Sequence, residues 1–529
     1  MPATLDTPRT TLAARTLLPP SARGALTGLL LSIFLASLGT SAANVGLPTF
    51  AKVFGASFQS VQWVVLAYLL SVTTMIVGAG RLGDIVGRRR LLELGLALFT
   101  GASLVSGIAP SLAVLIAARA AQGLGAAVML ALGMAFVGDA VSPSRVGRAM
   151  GLLGTMSAVG TALGPSLGGM LLTFPGWRAL FLINVPLGVV ALWFVHRALP
   201  NTRTELSSDR SFDLHGTALL ALSLGMFALA LTAGPRRGGW TSLALLAGSA
   251  AAALLFLRRQ ARARRPLLPP ALLRDRDLGA SLASNALVAS VMMSTLIVGP
   301  FYLTRALGLA PTAMGLAMTV GPALTALAGF PAGRFVDQRG SSQATVIGLA
   351  AMAAGSALLA ALPGSLGVVG YLGPIAFLTV GYAVFQAANN TAVMTAAARG
   401  ERGVVAGVLS LSRNLGLIAG ASLMGAVFAS GSGVSDITIS TADAVARGMR
   451  ITFAVAAALV IVATIFTSVR WARELRDAKV SATPGVTKAS RSGAFRDARA
   501  PRRDPELRAA RAPRDRPRAR PCGPSRFGS

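Results

Sequence analysis

Arg119 stands alone in the apolar run from Leu115 to Ala127, with Gln122 three residues on and on the same helix face. A charge inside a membrane costs about 2.5–3.5 kcal/mol on insertion scales, so Arg119 needs a partner or a wet cavity. A structural arginine bonded to neighbouring carbonyls is the plainer alternative. The second constellation is the hydrophilic stretch that follows Gly80, where Asp84, Gly87, Arg88 and Arg89 lie between two apolar runs and Glu93 follows. A weaker copy runs from Gly333 to Gly340 and contains Asp337. Glycine allows a tight loop there, and an aspartate suits the positive end of the following helix. The third is Gly160, Gly164 and Gly168 on one face, beside Pro165 and Gly169. Small residues at that spacing allow helices to approach closely, and the proline should kink its helix.

The elements that position these residues are long apolar spans. More than half of the 529 residues are apolar, 13% are charged and the mean hydropathy is +0.64. Runs of about 20 residues suit a hydrocarbon layer of about 30 Å, where backbone groups must bond within helices. The sequence predicts fourteen spans. Six lie at about 25–46, 60–79, 91–109, 112–138, 147–173 and 180–196. A middle pair lies at about 214–233 and 241–257. Six more lie at about 279–302, 312–332, 343–362, 367–394, 403–429 and 449–469. The repeated loop marks two similar halves, a common build for secondary transporters. The expected fold is therefore all-α and polytopic, two six-helix bundles plus two extra central helices. Its parts are an N-terminal segment 1–23, a bundle 24–197, a linker with the extra pair 198–278, a second bundle 279–470 and a disordered basic tail 471–529.

The formal charge of +30 follows this topology. With a cytoplasmic N-terminus, the inner loops collect Arg81, Arg88 to Arg90, Arg145, Arg148 and the run from Arg258 to Arg276. That bias, with an even span count, puts both termini inside. The charge is not read as nucleic-acid binding. The only cysteine is Cys522, so no disulfide can form within one chain. The first span lacks the pattern of a removed signal peptide.

The stretch Gly80, Leu82, Asp84, Gly87, Arg88 and Arg89 resembles the signature loop of the major facilitator superfamily, G-x-L-x-D-x-x-G-[RK]-[RK]. That resemblance implies a conformational latch, shared with Asp337 in the second copy. Arg119, Gln122, Gly123 and Gly125 resemble R-x-x-Q-G-x-G, whose arginine is implicated in proton coupling. Gly160, Gly164, Pro165, Gly168 and Gly169 resemble the antiporter motif G-x-x-x-G-P-x-x-G-G, which points to exporters. Trp177, Arg178, Phe181, Ile183, Asn184 and Pro186 are similar to a segment of the fourteen-span drug:H⁺ antiporters, as are Phe385 to Asn390 and Ser412 to Gly416. The resemblance covers roughly 25–470.

One departure matters. That group's first span reads L-D-x-T-I-V-N-V-A-L-P, and here Gly39 stands at the aspartate position. No Asp or Glu falls near the middle of any span; Glu93, Asp139 and Asp213 sit at span ends. Arg119 would then favour neutral or anionic compounds, and any proton carrier must be peripheral, among Glu93, Asp84, Asp139 and Asp213. Glu93, four residues after Arg89, suits a salt bridge better than a proton carrier. Cavity candidates are Asn44, Gln62, Met292 with Met293, Met314 and Met318, and Gln386 with Asn389. Core packing competes for the methionines, and interhelical bonding for Gln386 and Asn389.

The expected function is export of small lipophilic compounds or antibiotics across a bacterial inner membrane, by proton antiport and alternating access. A narrow exporter of a self-made metabolite without conventional proton coupling is the rival. A membrane enzyme is the remote one, with His196 and His215 the only histidines. Expected partners are the substrate, protons and the bilayer, with a monomeric chain, no cofactor and no metal.

Overall fold

The computed structural model describes residues 20–140, 146–199, 213–232, 238–263, 275–361, 364–396, 402–433 and 440–482. The first bundle contains α1 (Pro20–Val45), short α2 (Leu47–Phe54), α3 (Phe58–Val86), α4 (Arg88–Gly107), α5 (Leu112–Ala140), α6 (Val146–Thr173), one-turn α7 (Ala179–Leu182) and α8 (Asn184–Ala198). The middle pair is α9 (Leu214–Thr232) and α10 (Gly238–Arg262). The second bundle contains α11 (Arg276–Phe301), α12 (Pro311–Arg339), α13 (Ser341–Ala361), α14 (Gly367–Ala396), α15 (Arg402–Ala419), α16 (Gly425–Gly431) and α17 (Ala442–Ala482). Among the described residues, thirteen helices are long and apolar enough to cross a membrane. The remaining expected span is α6, 28 residues or about 42 Å of helix, whose seven glycines supply contact surface rather than apolar bulk.

Helix ends follow local chemistry. Ser57 caps α3 by accepting from Ser60 N–H at 3.3 Å, and Asp275 caps α11 by accepting from Asp277 N–H and Leu278 N–H. The repeated loop is a one-glycine turn in both halves. Gly87 joins α3 to α4 at φ 101°, and Gly340 joins α12 to α13 at φ 79°. Each glycine N–H closes the helix before it, on Gly83 O at 2.9 Å and on Val336 O at 2.8 Å. A side chain would strain either turn, which explains the glycines.

Three positions differ from the sequence reading. The span expected over 180–196 begins as the single turn α7 and continues from Asn184. The span expected over 403–429 is interrupted by a π-helical segment, Gly420–Met424, between α15 and α16. The last helix continues to Ala482, past the point where the tail was expected to begin; 483–529 lie outside the described residues, as do 1–19 and 200–212.

Within the first bundle α3 packs on α5, and α1 on α6 and α8; within the second, α13 packs on α14 and α11 on α15. The bundles meet at the end that carries Phe58. There Phe58 packs edge-on to Phe301, with ring centroids 4.9 Å apart, and to Phe428 at 5.6 Å. Thr173 of α6 and Thr312 of α12 bring their hydroxyls within 2.6 Å. Toward the other end, α12 is exposed at Leu327 (74%) and Phe330 (70%).

The middle pair forms a hairpin. Ser223 and Ser249 each donate to the other's carbonyl, at 3.0 and 2.8 Å. Asp213 accepts from Arg259 Nε at 2.8 Å, Gln260 Nε2 at 3.0 Å and Gly216 N–H at 3.0 Å. Burial pushes its carboxyl up, but these donors and the Arg259 charge outweigh that and hold it below the ordinary carboxylate range. The hairpin leans on both bundles. Trp63 Nε1 donates to Thr232 at 3.1 Å, while Leu220 and Phe256 pack with Leu282 and Leu409.

Candidate functional site

Arg119 is fully buried and is the only buried charged side chain among the described residues. Its Nε donates to Val64 O at 3.0 Å and its Nη1 to Gln122 Oε1. Gln122 Nε2 donates to Ser103 Oγ at 2.7 Å, and Ser103 donates to Phe99 O at 2.7 Å. The guanidinium lies 4.1 Å over the Tyr68 ring and 5.9 Å from the Phe181 centroid. Tyr68 OH in turn donates to Ala36 O of α1 at 2.8 Å. Helices α1, α3, α4, α5 and α7 are therefore gathered around one cation. The i, i+3 spacing of Arg119 and Gln122 produces their bond, and Ser103 joins it because α4 packs along α5.

The balance of this cluster is uneven. Cation–π contact contributes about 0.5–2 kcal/mol, and hydrogen bonds to a charged group about 1.5–3 kcal/mol each. Those terms offset much of the insertion cost, yet Nη2 has no hydrogen-bond partner. Among the described residues no carboxylate pairs with Arg119. Gly39 sits beside the cluster. A Cβ built on it would lie 3.3 Å from Phe99 Cζ and 3.7 Å from Tyr68 OH, so a side chain there would press on the Phe99 ring.

The glycines of α6 face two partners. A Cβ on Gly160 would meet Phe34 O at 2.7 Å, one on Gly164 would strike Ser41, and one on Gly168 would touch Ala42 O at 3.4 Å. All three face α1. Gly169 faces α12, where a Cβ would lie 2.5 Å from Pro311 O and 2.8 Å from Gly315 Cα. The Pro165 carbonyl is packed against Gly315 in return. The string thus seats α6 on its own bundle and on the opposite one at once.

Gln62 makes a second bridge between bundles. Its Nε2 donates to Ala421 O at 3.2 Å, across 359 residues of sequence. Ala421 lies in the π-helical segment, a geometry that displaces carbonyls from the regular ladder. Gly425 leaves the room that Gln62 occupies, since a Cβ there would overlap its amide.

The latch residues lie away from Arg119. Arg89 donates to Glu93 at 2.9 Å, to Leu199 O at 2.7 Å and to His196 O at 2.5 Å, tying the start of α4 to the end of α8. Glu93 also lies 3.2 Å from His196 Nδ1. Arg88 is half-buried, and Gly80 has open space around its missing side chain. The side chains of Asp84 and Asp139 lie outside the described ones. Asp337 is exposed and makes no ion pair among the described residues. The second copy has Ser341 and Ser342 where the first has Arg88 and Arg89, so it keeps the turn without the arginine clamp.

The remaining candidates scatter. Asn44 is buried, donates to Thr40 O at 3.0 Å, and leaves Oδ1 without a partner. Met293, Met314 and Met318 are buried in the core at the Phe58 end, with Met292 packed against them. Gln386 Oε1 and Asn389 Nδ2 are buried without partners. Asn389 borders a small pocket with Ala280, Ser281, Thr345 and Thr467. Sequence reasoning passed over Tyr68, Phe99, Ser103 and the Phe58, Phe301 and Phe428 cluster. Their only signal was aromatic or hydroxyl character within apolar runs. Among the described residues, no group of three or more His, Cys, Asp or Glu could hold a metal ion.

Such a site offers a fixed positive charge, polar bridges and close-packed glycine contacts between movable bundles. Binding and rearrangement fit it. The family model described as Major Facilitator Superfamily matches residues 29–421 and 280–509. An uncharacterized transporter, YebQ of Escherichia coli K12, is 33% identical over 407 residues, covering 77% of this chain and 89% of that protein. The multidrug resistance protein Stp of Mycobacterium tuberculosis is 30% identical, covering 75% of this chain and 74% of its own. A bacterial homolog of the human lysosomal transporter Spinster, solved inward-facing and unoccupied, superposes with TM-score 0.61 at 17% identity. The match covers 85% of this chain and 97% of that one.

Proposed function

Since this chain belongs to the major facilitator superfamily and is a membrane transporter, we propose that it exports small lipophilic organic compounds or antibiotics across a bacterial inner membrane. The reading places it with the fourteen-span drug:H⁺ antiporters, with both termini cytoplasmic. The Phe58 end then faces outward. Phe58 with Phe301 and Phe428, Gln62 with Ala421, and Thr173 with Thr312 form the closed outer gate. Substrate enters from the opposite end, and the bundles rock to open this gate and release it outside. The observation that carries the reading is Gly169 against Gly315, because glycines at that contact let two helices close without side chains between them.

Proton antiport is the proposed drive; Glu93 is a candidate carrier at the start of α4, where its bonds to Arg89 and His196 suit it better to a structural salt bridge. Asp213 is a poor carrier, because its donors keep it ionised through neutral pH. Compound-triggered proton release from acid-loaded inverted vesicles, against empty-vector vesicles, tests the coupling. Release supports antiport; transport of a labelled compound without release removes the proton from the scheme. A narrower exporter without conventional proton coupling is the second reading. The ring of Phe99 against Gly39, in the place of a membrane acid, favours it.

A further inference from the structure

We propose that Arg119 is an anion site, whose counter-charge is a monoanion taken from outside the protein: a halide, or the carboxylate of a transported compound. A guanidinium keeps its charge under all ordinary conditions. Among the described residues, every partner of Arg119 is neutral: the Val64 carbonyl, the Gln122 amide and the faces of Tyr68 and Phe181. One of its nitrogens, Nη2, is buried with no acceptor. The neighbouring position that could carry an internal carboxylate is Gly39, which has no side chain and whose built Cβ would already lie 3.3 Å from Phe99 Cζ. The cluster therefore holds a net positive charge in a low-dielectric setting, where a charge-assisted bond to an anion is strong.

The surroundings set the class of anion. The rings of Tyr68 and Phe181, both almost fully buried, wall the cation. A doubly charged, strongly hydrated anion would lose too much solvation there, whereas a halide or a carboxylate on a lipophilic body loses less. Arg119 is closed off in this conformation, so the anion enters as the bundles rock, and its binding biases that equilibrium. The site deepens the transport reading, yet its occupancy is measured without transport, so either can fail alone.

The test uses the purified full-length chain in detergent. Thermal unfolding is followed in chloride, bromide and benzoate against sulfate at matched ionic strength, with ³⁵Cl line-broadening as a direct binding readout. Wild type should show a saturable rise in melting temperature, on the order of 1–3 °C, in the monoanions over sulfate. R119Q should lose that increment and the line-broadening, while R119K keeps part of both. The G39D/F99A double variant supplies an internal carboxylate with room for it, and should lose the increment while staying folded. Benzoate that displaces chloride identifies the compound's carboxylate as a competitor for the site; chloride bound without displacement identifies a halide site. Equal responses in wild type, R119Q and the double variant, or no ³⁵Cl broadening in wild type, would overturn the proposal.

Discussion

The ring of Phe99 lies 3.3 Å from the point where a side chain on Gly39 would begin, and the carbonyl of the same Phe99 ends the chain of bonds that starts at Arg119. One residue thus crowds position 39 and helps hold the cation of the cluster. G39D alone should overpack the site and cost about 1–3 kcal/mol, read as a lower melting temperature. G39D/F99A makes room for the carboxylate and should gain export of cationic compounds. Unchanged selectivity in a folded double variant would separate Gly39 from substrate choice.

The closed gate can be trapped. The Thr173 and Thr312 hydroxyls are 2.6 Å apart, so T173C/T312C in a C522S background should form a disulfide on mild oxidation. Cross-linking should abolish transport, and reduction should restore it. G169A in the same background puts a methyl 2.5 Å from Pro311 O, and should slow cross-linking several-fold without unfolding the chain.

Q62A removes one neutral bond across the gate, worth about 0.5–1.5 kcal/mol. That should shift the balance roughly two- to twelvefold toward opening of the Phe58 end, read as slower cross-linking of the same cysteine pair. G425A should act more strongly, since its methyl overlaps the Gln62 amide.

Much of this was legible in the sequence, and the misses share a cause. Thirteen of the fourteen expected spans and the repeated glycine turn follow from apolar runs and recurring glycines, signals that survive in a single chain. Gly87 and Gly340 stand out because a one-residue turn at positive φ suits little else. Arg119 with Gln122 was legible because helical spacing dictates the pair. Phe99 against Gly39 was not, because only tertiary packing brings residues sixty positions apart face to face. Gln62 on Ala421 was hidden twice, by distance along the chain and by a π-helical segment that leaves no mark in residue type.

The α9–α10 hairpin should respond to acid. The Asp213 carboxyl is held below its unfolded value, so its contribution to stability is full above the ordinary carboxylate range, near pH 3.9, and is lost as pH falls through the depressed folded value. Hydrogen exchange in α9 and α10 should accelerate over that acid window in wild type. D213N should exchange faster at neutral pH and show a flatter acid response.

The most direct test of the account is accumulation of labelled neutral, anionic and cationic lipophilic compounds in inverted membrane vesicles, comparing wild type, G169A and membranes without the protein. Accumulation above both controls, strongest for neutral or anionic compounds and collapsed by a protonophore, is the predicted result. Equal accumulation in all three membranes would contradict export through the α6–α12 gate.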